Sequence, residues 1–301
     1  MVTHQPLAQQ AGLWYNGANF CEEGELLNTW YVTDLDGTLL DAQGRVSPVT
    51  ASLLRPLVDR GLQLTVATAR TPATVVELVR PLGLRGPAVL MSGALLYDLG
   101  QKKVLSTRGF SPSSQTALAA LLESTDQDAL VYCADGDRLT VFHRPPRGDY
   151  ARSFIAQRNT SPYKRFVPVE HYGRAMADSR CLLALFCLPG PAPELVRALE
   201  KLPEVHCVCY ADEYGRGVTV EVCPAGCHKG AGVDQLRRIT GADRIVAFGD
   251  NVNDLPLFTA ADESWAVANA APQVRRAATG TIGSNREDGV ARWLAAREGG
   301  V

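Results

Sequence analysis

Three features are scarce or missing in this chain of 301 residues: an excess of basic side chains, a long apolar run and a positively charged N-terminal segment. Lys and Arg number 30 against 32 Asp and Glu, so the formal net charge is −2, and the isoelectric point is near 6.2. No basic run is interleaved with aromatic residues. Because nucleic-acid binding relies on clustered positive charge, nucleic acid is not an expected partner.

The lack of a long apolar run and of a positively charged N-terminal segment indicates where in the cell the protein is expected. No stretch reaches the roughly 18 uninterrupted apolar residues that a membrane-spanning helix requires. Residues 1–28 contain no Lys or Arg and no continuous apolar core, unlike a secretory signal. We therefore expect a cytoplasmic protein with no membrane partner. In a reducing compartment the eight cysteines are expected to serve mostly as small buried apolar side chains.

The composition itself, 46% hydrophobic and 21% charged, is that of a globular protein long enough for two domains. The apolar run Trp30-Tyr31-Val32 predicts a buried strand, and Asp34-Leu35-Asp36-Gly37-Thr38 follows it almost at once. Strand alternation would aim Asp34 and Asp36 at one volume beyond the strand end. At about 4 Å and an effective dielectric of about 20, two carboxylates repel by about 4 kcal/mol, so they need a cation or a shared proton. The alternative is an Asp-Gly turn that merely ends a strand.

The next segments alternate between helix and strand. A helix is expected from Ser47-Pro48 to Gly61, then a strand at 62–67 that runs into Thr68-Ala69-Arg70, a helix at 73–82 and a strand at 88–91. This alternation predicts an α/β fold, a Rossmann-like parallel sheet with helices on its faces. Ligands of such sheets gather at the carboxyl ends of the strands, where Asp34, Asp36 and Thr68 would lie.

From residue 93 the pattern changes to short strands joined by turns, with helices between them, and it changes back near residue 224. We predict an α+β cap domain with an antiparallel sheet at 93–223, inserted into a core formed by 29–92 and 224–301. Residues 1–28 are expected to be a partly disordered N-terminal extension. The stretch Tyr210-Ala211-Asp212-Glu213-Tyr214 is a candidate substrate-facing loop.

A second acidic pair follows the resumed pattern, where a strand at 244–248 precedes Gly249-Asp250-Asn251-Val252-Asn253-Asp254. One helical turn would bring Asp250 and Asp254 onto one face. Together with Asp34 and Asp36 this makes up to four carboxylates at the sheet edge, and Mg²⁺, a hard cation that prefers oxygen, is the expected remedy for their repulsion. Taken alone, Asp250 and Asp254 also fit an acidic helix start favoured by the helix dipole.

These stretches resemble the four motifs of the haloacid dehalogenase-like phosphohydrolases. Asp34-Leu35-Asp36-Gly37-Thr38 is similar to the first motif, Thr68 to the second, Lys229 at a helix start to the third, and the stretch 249–254 to the fourth. An insertion of this size between the second and third motifs resembles the large C2 cap of the Cof-type phosphatases. The chain departs from the usual pattern at Ser92, where Asn is common, and at Ala69, where Gly is common, which weakens inference about the substrate rather than the reaction.

The resemblance implies roles for these residues. Asp34 would attack phosphorus and form an aspartyl-phosphate, and Asp36 would protonate the leaving alcohol and then activate water. Asp34, the Asp36 carbonyl and Asp250 would hold Mg²⁺, with Asp254 as a further ligand or an orienting group. The phosphoryl oxygens would be bound by Thr68, Lys229 and Asn253. The implied activity is a Mg²⁺-dependent phosphatase acting on small phosphorylated metabolites such as sugar phosphates, nucleotides or coenzymes.

Three other interpretations remain open. The arrangement also resembles the sugar-phosphate phosphatases of the sucrose or mannosylglycerate type, and a non-catalytic ligand-binding relative would keep the same fold. Cys223-Pro-Ala-Gly-Cys227-His228 contains ligands that zinc accepts, but no second ligand pair with suitable spacing accompanies it. The sequence predicts neither the substrate nor the oligomeric state.

Overall fold

The chain divides into two units in the computed structural model, which describes residues 19–20, 26–211 and 217–299. One unit comprises the described residues up to Gln101 together with those from His228 onward, and the other is Lys102–Cys227. Most of the predicted N-terminal extension lies outside the described residues, as does most of the candidate loop at 210–214. The described part of the extension contains β1 (Asn19–Phe20) and β2 (Leu26–Leu27), which pair antiparallel.

The N-terminal part of the first unit begins with strand and helix in alternation. Ser47 caps the first helix by accepting a hydrogen bond from the Thr50 amide, and Pro48 occupies the first helical position, as the sequence predicts. The elements are β3 (Thr29–Thr33), α1 (Pro48–Asp59), β4 (Leu64–Val66), α2 (Pro72–Leu78), β5 (Pro87–Leu90) and β6 (Leu95–Asp98).

The helix expected at 73–82 is interrupted. α2 ends at Leu78, and a separate 3₁₀ turn, Arg80–Leu82, follows it. Pro81 explains the break, because proline lacks an amide hydrogen and disfavours helical geometry in the residue before it.

The second unit is an α+β unit built on a six-stranded sheet with the strand order β10-β9-β8-β11-β13-β12. All neighbouring pairs are antiparallel except β9 and β10, which run parallel. β10 and α5 were not anticipated from the sequence. The elements are β7 (Lys103–Thr107), α3 (Pro112–Ser124), β8 (Ala129–Asp135), β9 (Arg138–His143), α4 (Asp149–Arg158), β10 (Lys164–Pro168), α5 (Tyr172–Met176), β11 (Arg180–Leu188), α6 (Pro193–Leu199), β12 (Val205–Ala211) and β13 (Val218–Pro224).

The chain then returns to the first unit, where helices and parallel strands alternate again. Lys229 is the first residue of the first of these helices, as expected. The elements are α7 (Lys229–Thr240), β14 (Arg244–Gly249), α8 (Leu255–Ala260), β15 (Glu263–Val267), α9 (Pro272–Ala277), β16 (Gly280–Ile282) and α10 (Gly289–Glu298).

The first unit is organised around a parallel sheet with the strand order β16-β15-β14-β3-β4, which confirms the predicted fold class. β3 lies between β14 and β4, so the carboxyl ends of these three strands meet at one edge. Every residue of β3 is buried. The segments that follow β3, β4 and β14 therefore share one small region of the surface.

β5 was expected as a further parallel strand, but it joins β4 only through a single parallel bridge, Ala67 to Val89. Along its length it pairs antiparallel with β6. The chain turns between the two strands through Met91, Ser92 and Gly93, which all have positive φ, at 51°, 54° and 94°. Gly93 fits because a Cβ there would lie 2.3 Å from the His228 carbonyl oxygen.

Candidate active site

The first acidic stretch leaves the sheet in a kinked turn rather than as a continued strand. β3 ends at Thr33, and the turn Leu35–Leu39 is kinked at Asp36 and Gly37, whose backbone angles are not helical; Gly37 has a φ of 79°. Strand alternation therefore does not extend to Asp36. Its carboxylate turns outward, with 56% of the side chain exposed, and accepts hydrogen bonds from Arg70 Nε at 2.7 Å and Nη2 at 2.6 Å. The expectation that Asp34 and Asp36 aim at one volume is wrong for this reason.

Asp34 instead faces the start of α7. Its side chain is 8% exposed and accepts a hydrogen bond from Lys229 Nζ at 2.6 Å. The same ammonium donates to Asp254 Oδ1, also at 2.6 Å, and both Lys229 and Asp254 are buried. One buried cation therefore joins two carboxylates that come from different strand ends.

Asp254 also organises the backbone of its own turn. Its second oxygen, Oδ2, accepts hydrogen bonds from the amides of Asp250 at 2.9 Å and Asn251 at 3.0 Å. Both carboxylate oxygens of Asp254 are thus engaged within the protein. The side chain holds Lys229 in place and fixes the turn that carries Asp250.

Burial makes the ionisation of this cluster unusual. Desolvation raises the pKa of Asp34 to about 7, a shift that Lys229 opposes and Asp254 reinforces. Burial alone would lower the pKa of Lys229, but Asp34 and Asp254 raise it above its usual value, so the ammonium stays charged. Burial also raises the pKa of Asp250. Three carboxylates facing one ammonium leave an excess of negative charge that a bound cation would balance.

The cluster has the donor set of a hard-cation site. Asp34, Asp250 and Asp254 each offer a carboxylate oxygen, and these oxygens lie within 4.8 Å of one another. Thr38 donates its hydroxyl hydrogen to Asp250 Oδ1 at 2.9 Å. The turn passes so close to Asp250 that a Cβ on Gly37 would lie 2.5 Å from its Oδ2. An all-oxygen set of this kind suits Mg²⁺ better than a soft metal.

The two remaining residues from the motif comparison lie nearby in the fold. Thr68 follows β4, and the register of β3 with β4 pairs Thr33 with Val66, so Thr68 leaves the sheet at the same edge as Asp34. Thr68 is buried, and its hydroxyl accepts a hydrogen bond from the Arg70 amide at 3.2 Å. Asn253 is exposed in the 3₁₀ turn Val252–Asp254.

Two asparagines that hold the first turn were missed from the sequence. Asn269 Nδ2 donates to the Gly37 carbonyl at 2.8 Å, and its Oδ1 accepts from the Asn285 amide at 2.9 Å. Asn285 Nδ2 in turn donates to the Leu40 carbonyl at 2.9 Å. We call this pair the asparagine clamp. The available signal was position, because Asn269 follows a strand end of the same parallel sheet.

The alternative zinc site at 223–228 is not supported. His228 Nδ1 caps α7 by accepting a hydrogen bond from the Ala231 amide at 3.1 Å. Burial raises the pKa of the Cys227 thiol to about 11, which disfavours the thiolate that zinc binds. Among the described residues, Asp34, Asp250 and Asp254 form the one group of three or more His, Cys, Asp or Glu side chains that could hold a metal ion. None of the described helices has the length and apolar character needed to cross a bilayer.

Comparisons with known proteins find related phosphatases and a solved structure with the same fold. The chain is 26% identical over 277 residues to 5-amino-6-(5-phospho-D-ribitylamino)uracil phosphatase of Bacillus subtilis, which covers 87% of this chain and 95% of that protein. It is 25% identical to pyridoxal phosphate phosphatase of Escherichia coli, with the same two coverages. A crystal structure of a Thermotoga maritima protein matches the fold with a TM-score of 0.72 at 20% identity, over 90% of this chain and 97% of that one.

The family of the chain is shown by a match to a family model over most of its length. The sequence profile of the haloacid dehalogenase-like hydrolases matches residues 31–294, which include both acidic stretches, Lys229 and the whole second unit. The recognition made from the four motifs is confirmed. The chain belongs to the haloacid dehalogenase-like hydrolases, in which it is a phosphatase of the Cof type.

Proposed function

We propose that the chain hydrolyses phosphate monoesters of small metabolites through an aspartyl-phosphate on Asp34, with Mg²⁺ as cofactor. The observation that carries the proposal is the buried Asp34 carboxylate, paired with Lys229 at 2.6 Å and grouped with Asp250 and Asp254 at one edge of the parallel sheet. A desolvated carboxylate held by a fixed ammonium is a positioned nucleophile. The same ammonium would bind a phosphoryl oxygen as charge develops in the transition state.

Asp36 is proposed as the general acid and base. Its carboxylate lies on the exposed side of the turn, where a leaving alcohol and an attacking water would reach it, and Arg70 orients it through two hydrogen bonds. In the first step Asp36 would give a proton to the leaving alcohol oxygen. In the second it would take a proton from the water that attacks the aspartyl-phosphate.

Mg²⁺ would be held by carboxylate oxygens of Asp34 and Asp250 and by the Asp36 carbonyl, and when bound it supplies positive charge to the phosphoryl group. Asp254 is proposed as the orienting group, because both of its oxygens already accept hydrogen bonds. Thr68 and Asn253 are proposed to bind phosphoryl oxygens. Both belong to segments that follow strands at the same sheet edge as Asp34.

The proposed substrates are small phosphorylated metabolites. Among these, phosphorylated coenzymes and their precursors are the substrates that we favour most. Two relatives support it, since one acts on a phosphorylated ribitylaminouracil and the other on pyridoxal phosphate. Both compounds carry a phosphate on an arm attached to a nitrogen heterocycle. We also propose that the second unit is the cap domain that sets substrate choice and that the protein works in the cytoplasm.

The test is release of inorganic phosphate from a panel of phosphorylated coenzymes, sugars and nucleotides, with Mg²⁺ or with EDTA. We expect release that requires Mg²⁺ and falls by at least about 10³-fold in Asp34→Asn, which keeps the size of the side chain but removes the nucleophile. Asp243→Asn is the matched control, because Asp243 lies in the same unit and its carboxylate accepts a hydrogen bond from the Asn28 amide, on the far side of the sheet.

Single-turnover experiments separate the two proposed carboxylate roles. Asp36→Asn should slow both formation and hydrolysis of the aspartyl-phosphate, and acid quenching should trap labelled protein when the second step is slowed more. Equal phosphate release by native protein and Asp34→Asn would overturn the assignment of the nucleophile. Unchanged release in EDTA would overturn the cofactor.

A further inference from the structure

Two cysteines face each other across the sheet of the second unit. Cys133 on β8 is the direct register partner of Cys181 on β11, and their sulfur atoms are 2.6 Å apart. The two residues are 48 positions apart in sequence. Cys133 is 1% exposed and Cys181 is fully buried, so neither thiol meets solvent.

The backbone of Cys181 is also held by groups outside the pair. Its carbonyl accepts a hydrogen bond from the Phe110 amide at 2.9 Å, and its amide donates to Gln115 Oε1 at 3.4 Å. Both backbone groups of Cys181 thus have partners outside β8. Directly opposed residues of an antiparallel pair have Cα atoms about 4.5–5.5 Å apart, whichever type of pair they form.

That separation falls within the range that a disulfide bridges, about 4.4–6.8 Å between Cα atoms. The strand register and the two outside hydrogen bonds hold the two cysteines opposite each other. A bulge between Cys181 and Leu183 interrupts the pairing of β11 with β8 next to the cysteines.

The surroundings decide which oxidant suits the pair. Cys133 and Cys181 belong to the apolar core cluster of this unit, alongside Phe110, Leu118 and Val131. The contact with Cys181 and burial raise the pKa of the Cys133 thiol, so this thiol is neutral at rest. A neutral oxidant little larger than water enters such a core more readily than a charged or bulky disulfide.

We propose that Cys133 and Cys181 form an oxidisable dithiol that hydrogen peroxide converts into an intramolecular disulfide. One sulfur attacks a peroxide oxygen and breaks the O–O bond, giving a sulfenic acid, while the departing hydroxide takes the thiol proton as water. The second sulfur then displaces the sulfenic hydroxyl, which leaves as water with the second thiol proton. Two thiols are oxidised by two electrons, and one peroxide is reduced to two molecules of water.

The test uses the full chain and does not depend on its enzymatic activity. Protein is treated with hydrogen peroxide, quenched with catalase, denatured with an alkylating reagent present, digested and analysed by mass spectrometry. We expect a cross-linked species joining the peptides of Cys133 and Cys181, about 2 Da lighter than their sum and lost on reduction before alkylation. The exposed Cys209 reports in the same sample that the oxidant was active.

Cysteine variants show which two residues form the cross-link. Cys133→Ala and Cys181→Ala should each abolish the cross-link, whereas Cys187→Ala, a buried cysteine of the same strand in register with Thr219, should retain it. Oxidised native protein should also unfold at a temperature several degrees higher in its second unit, because the bond constrains the unfolded chain. Full alkylation of Cys133 and Cys181 at peroxide levels that oxidise Cys209, or a cross-link that persists in Cys133→Ala, would overturn the proposal.

Discussion

Lys229 lies between the buried carboxylates of Asp34 and Asp254, with 2% of its side chain exposed. Ion pairs this deep add little net stability compared with an apolar core, but removal of one partner leaves buried charge without compensation. The arrangement therefore makes the first unit dependent on the residue that we propose to bind phosphate. Lys229 would therefore contribute both to phosphate binding and to the stability of the first unit.

Lys229→Met should consequently lower the free energy of unfolding by about 3–5 kcal/mol at pH 8. Without the ammonium, which opposes the effect of burial, the pKa of Asp34 in the folded protein should stand well above that in the unfolded chain. The folded state then binds more protons, so stability is retained at low pH and lost as pH rises between about 4 and 8. Urea unfolding at pH 5 and pH 8 measures this. Adding Asp34→Asn should restore part of the loss at pH 8, and a variant as stable as the native chain at pH 8 would contradict the argument.

Gly37 offers a second test at the residue scale, with Gly241 as its matched control. Both have positive φ, 79° and 65°, but a Cβ on Gly37 would lie 2.5 Å from Asp250 Oδ2, whereas one on Gly241 would have nothing within 4 Å. Each Gly→Ala change should cost about 1 kcal/mol of backbone strain. Only Gly37→Ala should also weaken Mg²⁺ binding, by about tenfold or more, because Asp250 must move. Calorimetric titration with Mg²⁺ distinguishes the two, and equal affinities would separate Asp250 from the metal site.

At the scale of elements, the turn Leu35–Leu39 depends on the asparagine clamp formed by Asn269 and Asn285. Asn285→Ala removes the donor to the buried Leu40 carbonyl, and we expect a stability loss of about 1–2 kcal/mol. Because this turn carries Asp36, kcat should fall by about tenfold while KM changes little. Asn28→Ala is the control, since Asn28 donates to the Thr240 and Gly241 carbonyls at 3.0 and 3.1 Å, away from the site. If both variants lose similar stability but only Asn285→Ala loses catalytic rate, the result would support a positioning role for Asn285. Equal rates in the two variants would refute it.

In the second unit, β10 begins with Lys164, which is 6% exposed and lies 5.5 Å from the centre of the Phe166 ring. Burial, with a smaller contribution from Arg158, lowers its pKa to about 8. The unfolded chain therefore binds more protons between pH 8 and about 10.5, so the contribution of Lys164 to stability is unfavourable below pH 8 and improves as pH rises through that window. Lys164→Met should raise the free energy of unfolding by about 2–3 kcal/mol at pH 7, and the gain should shrink towards pH 10. Chemical unfolding at both pH values checks this, and a gain that does not depend on pH would point to packing instead.

At the scale of the whole molecule, the two units have separate cores and the carboxylate cluster belongs to the first alone. Mg²⁺ at about 100 times its Kd should stabilise the folded first unit by about 2.7 kcal/mol. Hydrogen exchange followed by mass spectrometry should show the added protection in peptides that cover residues 29–40 and 244–260, with little change in 102–227. Asp34→Ala should abolish the added protection, and an equal gain across residues 102–227 would mean that the two units unfold together.

The sequence by itself determined the family, the parallel α/β core and the strand ends at which the chemistry gathers. These follow from local patterns: an apolar run before Asp34, the Ser47-Pro48 cap of α1, Lys229 at the start of α7, and Asp250 directly after β14. Each of these patterns spans only a few residues, so it can be recognised in the sequence before the fold is known. The catalytic and binding roles of these residues stay predictions that the experiments above test.

Only the tertiary structure decided which partner each side chain of the site contacts. Asp36 turns to Arg70 because the chain kinks at Asp36 and Gly37 soon after β3 ends, and strand alternation does not anticipate such a kink. Asp254 holds Lys229 and its own turn, and the asparagine clamp joins residues more than 200 positions apart. Contacts of this kind depend on which strands become neighbours and on how each loop leaves the sheet. A linear pattern carries no record of either, since both are set when the whole chain packs.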